Sequence, residues 1–426
     1  MSIRSHLESM DDVVKIKERV DPCLDVTRHL NAHPETPVLF EDTGAGRLVG
    51  NLWSTRGRIA RALRTDVHGL TGLIAGALSR GQPPRVMRKS ELFENETTKV
   101  DLRRLPVPTF YRGDGGPYIT AGVVVGEREY NGERLRNLSF HRMMVTGART
   151  ATIRLVPRHL YKMHEDAKEA KEDLPIAVAI GSCPPVLIAA SCSVEFGHDE
   201  LVIASAIRRA ACGKPVDVVR LPGSGITVPA TAEIVLEGRI TRKGADEGPF
   251  VDITGTIDPV RKQPIVEFDR IYHRDDPILH AILPGGYEHY MLMGLPKEPA
   301  ILRSVRGVVP DVRAVRLTEG GCCWLHAVVS IKARNPGDSK NAMLAAFAGH
   351  ASLKRVVVVD DDIDVFDDRQ VEWALATRFQ ADDDILVIEG ARGSSLDPSA
   401  SGTTSKLGLD ATIPMEADRS LFRRLT

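Results

Sequence analysis

Residues 136–159, RNLSFHRMMVTGARTATIRLVPRH, read as strand interrupted by polar and ionisable side chains. Arg142 stands inside this stretch, between Phe140 and Met143, where a guanidinium is costly to desolvate without a partner. Candidate partners lie downstream in residues 228–255, VPATAEIVLEGRITRKGADEGPFVDITG, which set Glu247 and Asp252 five residues apart on either side of a Gly-Pro-Phe turn. Beside one guanidinium, two carboxylates have their ionised forms stabilised by the cation and opposed by each other, so they titrate as a coupled pair. Such a pair can keep one carboxyl protonated and ready to donate. The plain alternative is an inter-strand ion pair next to an ordinary turn, since charged strand residues mostly face solvent.

Working outward, YITAGVVVGEREY from Tyr118 is followed by Asn131-Gly132 and, after Glu133, by RLRNLSFHRMMV. Asn-Gly between two strand patterns predicts a hairpin. Downstream, VDVVRL, AEIVLEGRI, VDITGTI and PIVEFDRIYHR are short strand patterns bounded by Gly, Pro or Asp. This spacing favours a β-barrel or sandwich over a parallel sheet. Between them, residues 157–171 predict a charged helix, and PIAVAIGSCPPVLIAAS a buried strand entering a loop or helix start. Residues 199–211 predict a helix packed by Leu201, Ile203, Ala204 and Ile207. Toward the N-terminus the pattern predicts a helix over 7–20, a strand over 36–42 and a helix over 56–79, ended by the proline-rich linker RLPVPTF at 104–110. The last third alternates strand and helix, with RVVVVDDDIDVFD, DRQVEWALATRF and DDILVIEG giving βαβ texture. The acid run 360–362 reads as a strand end. The Gly/Ser-rich SSLDPSASGTTSKLGLDATIP is expected to run over a surface.

At 426 residues and 42% hydrophobic content, the chain has material for large cores and two or three domains. Its 56 Lys and Arg against 57 Asp and Glu leave a formal charge of -1, which gives no global field to attract nucleic acid or an anionic membrane. The six cysteines include no C-x-x-C pair and fit reduced thiols of a cytoplasmic protein. The N-terminal residues are charged throughout, and no run of about 18 apolar residues occurs, so neither an export signal nor a membrane span is expected. GSGIT, Gly115-Gly116 and Gly285-Gly286 form neither G-x-G-x-x-G nor a Walker loop. There is no G-x-S-x-G, and Cys322-Cys323 beside Trp324 carries no thiol-nucleophile signature.

The stretches NLSFHR, VPRH, DELVIASAIR, VPATAEIVLEG, EGPFVDITG, VDDDIDVFD with VEWALATR, and LDPSASGTTSKLGLDAT span residues 137–412. Together they resemble the UbiD-type family of prenylated-FMN-dependent reversible decarboxylases; the first hundred residues match loosely. The resemblance implies a multidomain α+β and α/β fold. An N-terminal α/β domain would cover 1–112, a central split β-barrel binding prenylated FMN 113–300, and a C-terminal α/β oligomerisation domain 301–426.

By position, the resemblance makes Arg142, Glu247 and Asp252 the catalytic network. Asn137, His159 and Glu200 become ligands of a divalent ion, Mn2+ or Mg2+, that holds the cofactor phosphate; an amide oxygen, an imidazole and a carboxylate suit such an ion. Lys354 corresponds to a lysine near that phosphate, and Ser139, Phe140, His141, Arg142, Arg158, Ser191 and Cys192 complete the cofactor-binding set. K+ is a further candidate ion. Singly, each has a plain reading: Asn137 follows a turn, His159 opens a helix, Glu200 sits in a first helical turn and Lys354 precedes a strand.

Decarboxylating such an acid needs an electron sink that side chains lack, and the modified flavin is that sink in the family. On this expectation Glu247 supplies the proton, Arg142 holds the substrate carboxylate or orients Glu247, and Asp252 keeps the arginine placed. The substrate is an aromatic, heteroaromatic or α,β-unsaturated carboxylic acid that releases CO2, a flavin prenyltransferase supplies the cofactor, and the chain forms a homodimer or higher homo-oligomer. Two departures stand out: Asp252 where the family often has Glu, and His141 where it often has tyrosine or a small residue. Competing classes are a non-catalytic or accessory subunit of a carboxylase complex and a metal-dependent hydrolase built on Asn137, His159 and Glu200.

Overall fold

The computed structural model describes residues 2–422. The chain divides into two compact units, residues 1–292 and 293–426.

The first unit is built on a nine-stranded sheet. Its strands are β1 (Asn95–Thr97), β2 (Tyr118–Ile119), β3 (Val123–Tyr130), β4 (Glu133–Phe140), β5 (Met143–Val145), β6 (Thr150–Ile153), β7 (Leu174–Ile180), β8 (Ile234–Glu247) and β9 (Arg261–His273). The order is β2-β5-β6-β9-β8-β7-β3-β4, with β1 added on β9, and every pairing is antiparallel. Among the described residues the ladder stays open, so the expected split barrel takes the form of a bent sheet without closure. The predicted hairpin is present: Asn131 and Gly132 take positive φ of 51° and 83° between β3 and β4, as a two-residue turn matched to strand twist requires. Two of the patterns that read as short strands belong to strands of 14 and 13 residues, β8 and β9. Register shifts after Glu237 and Ile240 let these strands bend.

Helices α1 (His159–Glu169), α2 (Pro184–Ser191) and α3 (Glu200–Cys212) follow the predicted segments. The Asp199 side chain caps α3 by accepting from Leu201 N at 2.9 Å, and Gly213 ends it in the left-handed region at φ 73°. Leu201, Ile203, Ala204 and Ile207 are buried on α3 as expected.

Two N-terminal expectations fail. In place of one helix over 7–20, a helix spans Ile3–Glu8 and a strand Val14–Ile16, which pairs in parallel with Val38–Phe40. A short Val-x-Ile run fits a pleated surface as well as a helix face, and the long-range pairing decides. In place of one helix over 56–79 there are two, Arg56–Ala62 and Gly69–Ser79, separated where Arg64 takes a φ of 54°. The N-terminal sheet is completed from far along the chain, by Ile278–His280 pairing in parallel with Arg47–Gly50.

The second unit carries β10 (Val312–Leu317), β11 (His326–Ile331), β12 (Arg355–Asp360), β13 (Ile385–Ala391) and β14 (Thr404–Ala411) in the order β10-β11-β12-β14-β13. The helices Glu298–Arg306, Asp338–Gly349 and Asp368–Arg378 give the expected α/β alternation. The Gly/Ser-rich tail does not simply run over the surface, because its β14 segment lies between β12 and β13. There Lys406 is buried and its Nζ donates to Ala351 O and Leu353 O at 2.7 and 2.5 Å, which offsets the cost of burying it. Among the described residues no helix is long and apolar enough to cross a membrane.

Candidate active site

Arg142 occupies the break between β4 and β5, where the edge hairpin turns back into the sheet. Glu247 is the last residue of β8, and Asp252 follows the short strand Phe250–Val251. The tertiary fold brings all three together. Arg142 Nε and Nη2 donate to the two oxygens of Glu247 at 2.9 and 3.0 Å, and Nη1 donates to Asp252 Oδ2 at 2.6 Å. Side-chain exposures of 9% for Arg142, 0% for Glu247 and 16% for Asp252 put the network largely out of water. Burial opposes the guanidinium charge, but Glu247, Asp252 and Asp258 outweigh it and raise the Arg142 pKa.

Asp258 is a member that the sequence reading missed. Its Oδ2 accepts from Arg142 Nη2 at 2.6 Å and its Oδ1 from Arg261 Nη2 at 2.8 Å, while Arg154 Nε lies 3.8 Å from Oδ2. Asp258 pairs across a two-stranded hairpin with Phe250, which carries it back over Arg142. The sequence signal was weak: an acid six residues beyond Asp252 looks like a turn residue until the hairpin register is known. Phe250 was also missed; its ring centroid lies 4.4 Å from Arg142 Cζ, so the guanidinium is paired at its edge and stacked on its face.

Close backbone approach holds this corner. Gly115 N donates to Pro249 O at 2.8 Å, and a Cβ at Gly115 would meet Gly248 O at 2.2 Å, so only glycine allows the two loops to touch. Tyr118 donates to Pro249 O at 3.3 Å; burial, with the Glu247 charge next, pushes its hydroxyl pKa up. His289 is a further neighbour: Gly285 N donates to its Nδ1 at 3.2 Å. Burial lowers the His289 pKa against the pull of Asp252, so the ring is neutral beside the network.

The second group, Asn137, His159 and Glu200, also converges. Glu200 Oε1 accepts from Asn137 Nδ2 at 2.9 Å and Oε2 from Leu138 N at 2.8 Å, and His159 Nδ1 stands 3.8 Å from Oε1. Only 2% of Glu200 is exposed, and burial pushes its carboxyl up. Among the described residues no group of three or more His, Cys, Asp and Glu is arranged to hold an ion; here two such residues are joined by an amide. A buried carboxylate served by amides and one imidazole lacks a full counter-charge, and a divalent cation among these donors would provide it.

The remaining predicted residues divide. Ser139 donates to Asn137 Oδ1 at 2.8 Å and lies 3.0 Å from His141 Nε2, so it links the two groups along β4. His141 Nδ1 is 2.8 Å from Arg154 O, and burial lowers its pKa to about 4. Phe140 closes β4 opposite Val123. Arg158 donates to Ser193 Oγ at 2.9 Å, just past the C-terminus of α2, where Ser191 and Cys192 bond back to Leu187 O and Ile188 O. Lys354 belongs to the second unit, where it pairs with Asp397 at 2.9 Å and donates to Ser399 Oγ at 2.5 Å.

Three family models match the chain: the 3-octaprenyl-4-hydroxybenzoate carboxy-lyase N-terminal domain over residues 4–77, its Rift-related domain over 85–287 and its C-terminal domain over 290–411. The chain belongs to the UbiD family and is a carboxy-lyase, an enzyme of the decarboxylase class. It is 44% identical over 430 residues to the anhydromevalonate phosphate decarboxylase of Methanothermobacter thermautotrophicus, covering 100% of this chain and 99% of that protein. Among solved structures it is similar to the UbiD-class enzyme HmfF from Pelotomaculum thermopropionicum in complex with FMN, with a TM-score of 0.96, 36% identity, and 100% and 97% of the two chains covered. An evolved dimeric form of HmfF in complex with prFMN is similar at a TM-score of 0.91 and 34% identity, covering 100% and 96%.

Proposed function

We propose that this chain is a prenylated-FMN-dependent, non-oxidative and reversible decarboxylase. Its substrate on this reading is an α,β-unsaturated acid that also carries a phosphate, of the anhydromevalonate phosphate type. The observation that carries the reading is the buried guanidinium shared by Glu247 and Asp252, in a family of carboxy-lyases. Support for the substrate comes from the full-length likeness to an anhydromevalonate phosphate decarboxylase, and support for the flavin from neighbours in complex with FMN and prFMN.

When bound, the modified flavin supplies the electron sink for the bond to CO2. Asn137, His159 and Glu200 would hold the Mn2+ or Mg2+ ion, and Arg158 belongs to the same cofactor-binding set. Glu247 holds the proton that replaces CO2 on carbon, a contribution on the order of 10²- to 10⁴-fold. Asp252 keeps the guanidinium paired while Glu247 is protonated, so the protonated acid does not strand a buried cation. Phe250 and Tyr118 exclude water from the same corner. The assembly is a homo-oligomer through residues 301–426, and a flavin prenyltransferase supplies the cofactor.

The test is to co-produce the chain with a flavin prenyltransferase and measure CO2 release from a panel containing anhydromevalonate phosphate, its unphosphorylated acid, a benzoate and a furoate. Release from the phosphorylated enoic acid well above the others is expected. Release from none of them ends this reading.

A further inference from the structure

A guanidinium has five N–H donors. Arg142 spends two on Glu247, one on Asp252 and one on Asp258, at 2.9, 3.0, 2.6 and 2.6 Å. Four of the five are used, which leaves one N–H on Nη1 for anything that enters the site.

Asp258 is itself held firmly. Arg261 donates to its Oδ1 at 2.8 Å, and Arg154 stands 3.8 Å from Oδ2. Burial pushes the Asp258 carboxyl up, but hydrogen bonds from Arg261 and Arg142 outweigh it and hold the group below the ordinary carboxylate range. With Glu247, Asp252 and Asp258 set against Arg142, Arg154 and Arg261, the cluster has three negative and three positive side chains.

We propose that Asp258 is a positioning residue that restricts Arg142 to a single hydrogen bond on the substrate carboxylate. The inference rests on the decarboxylase reading above. An unrestricted arginine grips a carboxylate with two parallel hydrogen bonds. That grip stabilises the acid before reaction more than the transition state, in which the charge is leaving the departing CO2, so it tightens binding and slows the chemistry. Asp258 occupies a donor that could serve the grip and cancels the charge that would strengthen it. Asp252 also takes a donor and cancels charge, but on Nη1, which keeps a second N–H, whereas Asp258 takes the last N–H of Nη2.

The experiment compares Asp258→Ala, Asp258→Asn and Asp258→Glu with the parent chain, each loaded with flavin and checked for flavin content by absorption. The first readout is calorimetric affinity for 3-methylbutanoate, a saturated acid that undergoes no reaction. The second is the separate kcat and KM for the acid that the parent decarboxylates. Asp258→Ala is expected to bind 3-methylbutanoate about tenfold more tightly, as one freed charged hydrogen bond allows. It should also show a lower KM with kcat down by tenfold or more. Asp258→Asn keeps the contact without the charge and should lie between, and Asp258→Glu should restore the parent values. A merely structural role would lower flavin content and raise KM, which overturns the proposal. Unchanged affinity, including no measurable binding by either protein, or a kcat loss without a fall in KM also overturns it. If the parent releases CO2 from no acid, the functional reading fails, while the affinity ratio still decides the role of Asp258.

Discussion

The Arg142 network lies just beyond the C-terminal end of β4 and the Glu200 cluster on β4 itself at Asn137 and Leu138, yet they solve the burial of charge in opposite ways. At Arg142 the chain supplies its own counter-charges, with three carboxylates around one guanidinium and two further arginines behind them. At Glu200 a carboxylate of equal burial has two amide donors and an imidazole at 3.8 Å. Buried ion pairs persist where partners and hydrogen bonds are complete. The first group carries its own counter-charges as folded and the second does not; on the function proposed above, a cation would supply what the second lacks.

The sharpest way to break this contrast is Glu247→Gln. It keeps the shape of the network and removes its proton, so CO2 release should fall by at least about 100-fold while the flavin absorption of the purified protein is retained. Turnover near the parent rate would take Glu247 out of the acid role.

Glu200→Gln addresses the other side. With no carboxylate to complete, the cluster should lose its divalent ion and the bound flavin, visible as loss of metal by elemental analysis and loss of the yellow chromophore. Removing metal from the parent with a chelator should do the same to a smaller extent. Protein that keeps flavin after either treatment would show that the cluster needs no cation.

Arg142→Met strips the complete network of its cation and leaves Glu247 buried and unpaired. A loss of about 3–5 kcal/mol in denaturant unfolding is expected, against a much smaller change for Glu200→Gln, whose charge has no full partner to lose. Equal losses would erase the distinction between the two groups.

The smallest effect is one of pH. Burial lowers the His141 pKa to about 4, against an unfolded value of about 6.5. The folded state therefore binds fewer protons than the unfolded state between these values. The His141 contribution is fully present above pH 6.5 and is lost as pH falls toward 4, by up to about 3 kcal/mol. His141→Asn should flatten that part of the stability profile; an unchanged slope would mean that other groups carry it.

Much of the Arg142 site could be read along the chain because its members sit in local patterns, whereas Asn137, His159 and Glu200 were grouped only by the family resemblance. Asn131-Gly132 specifies its own turn, Asp199 and Gly213 bracket α3, and EGPFVD places two acids around a turn that reverses the strand. Asp258 could not be read this way, because its membership depends on Phe250 pairing with it across a hairpin. Phe250, Tyr118 and His289 were hidden for the same reason: aromatic and imidazole groups near turns become site residues only through approach in three dimensions. Val14–Ile16 and the β14 segment were misread because a run of a few residues carries no period of its own, and distant partners decide its form.

Alone, then, the sequence determined the hairpin, the helices near 157–171 and 199–211, the α/β texture of the last third and which arginine and acids were candidates to meet. The tertiary structure decided that a third carboxylate joins them, that Ile278–His280 completes a sheet begun over two hundred residues earlier, and that the central strands form an open ladder. Turns and caps are settled by backbone preferences within a few residues. Which charges share one guanidinium depends on chain crossings, and their loop-closure cost is met only by the whole core.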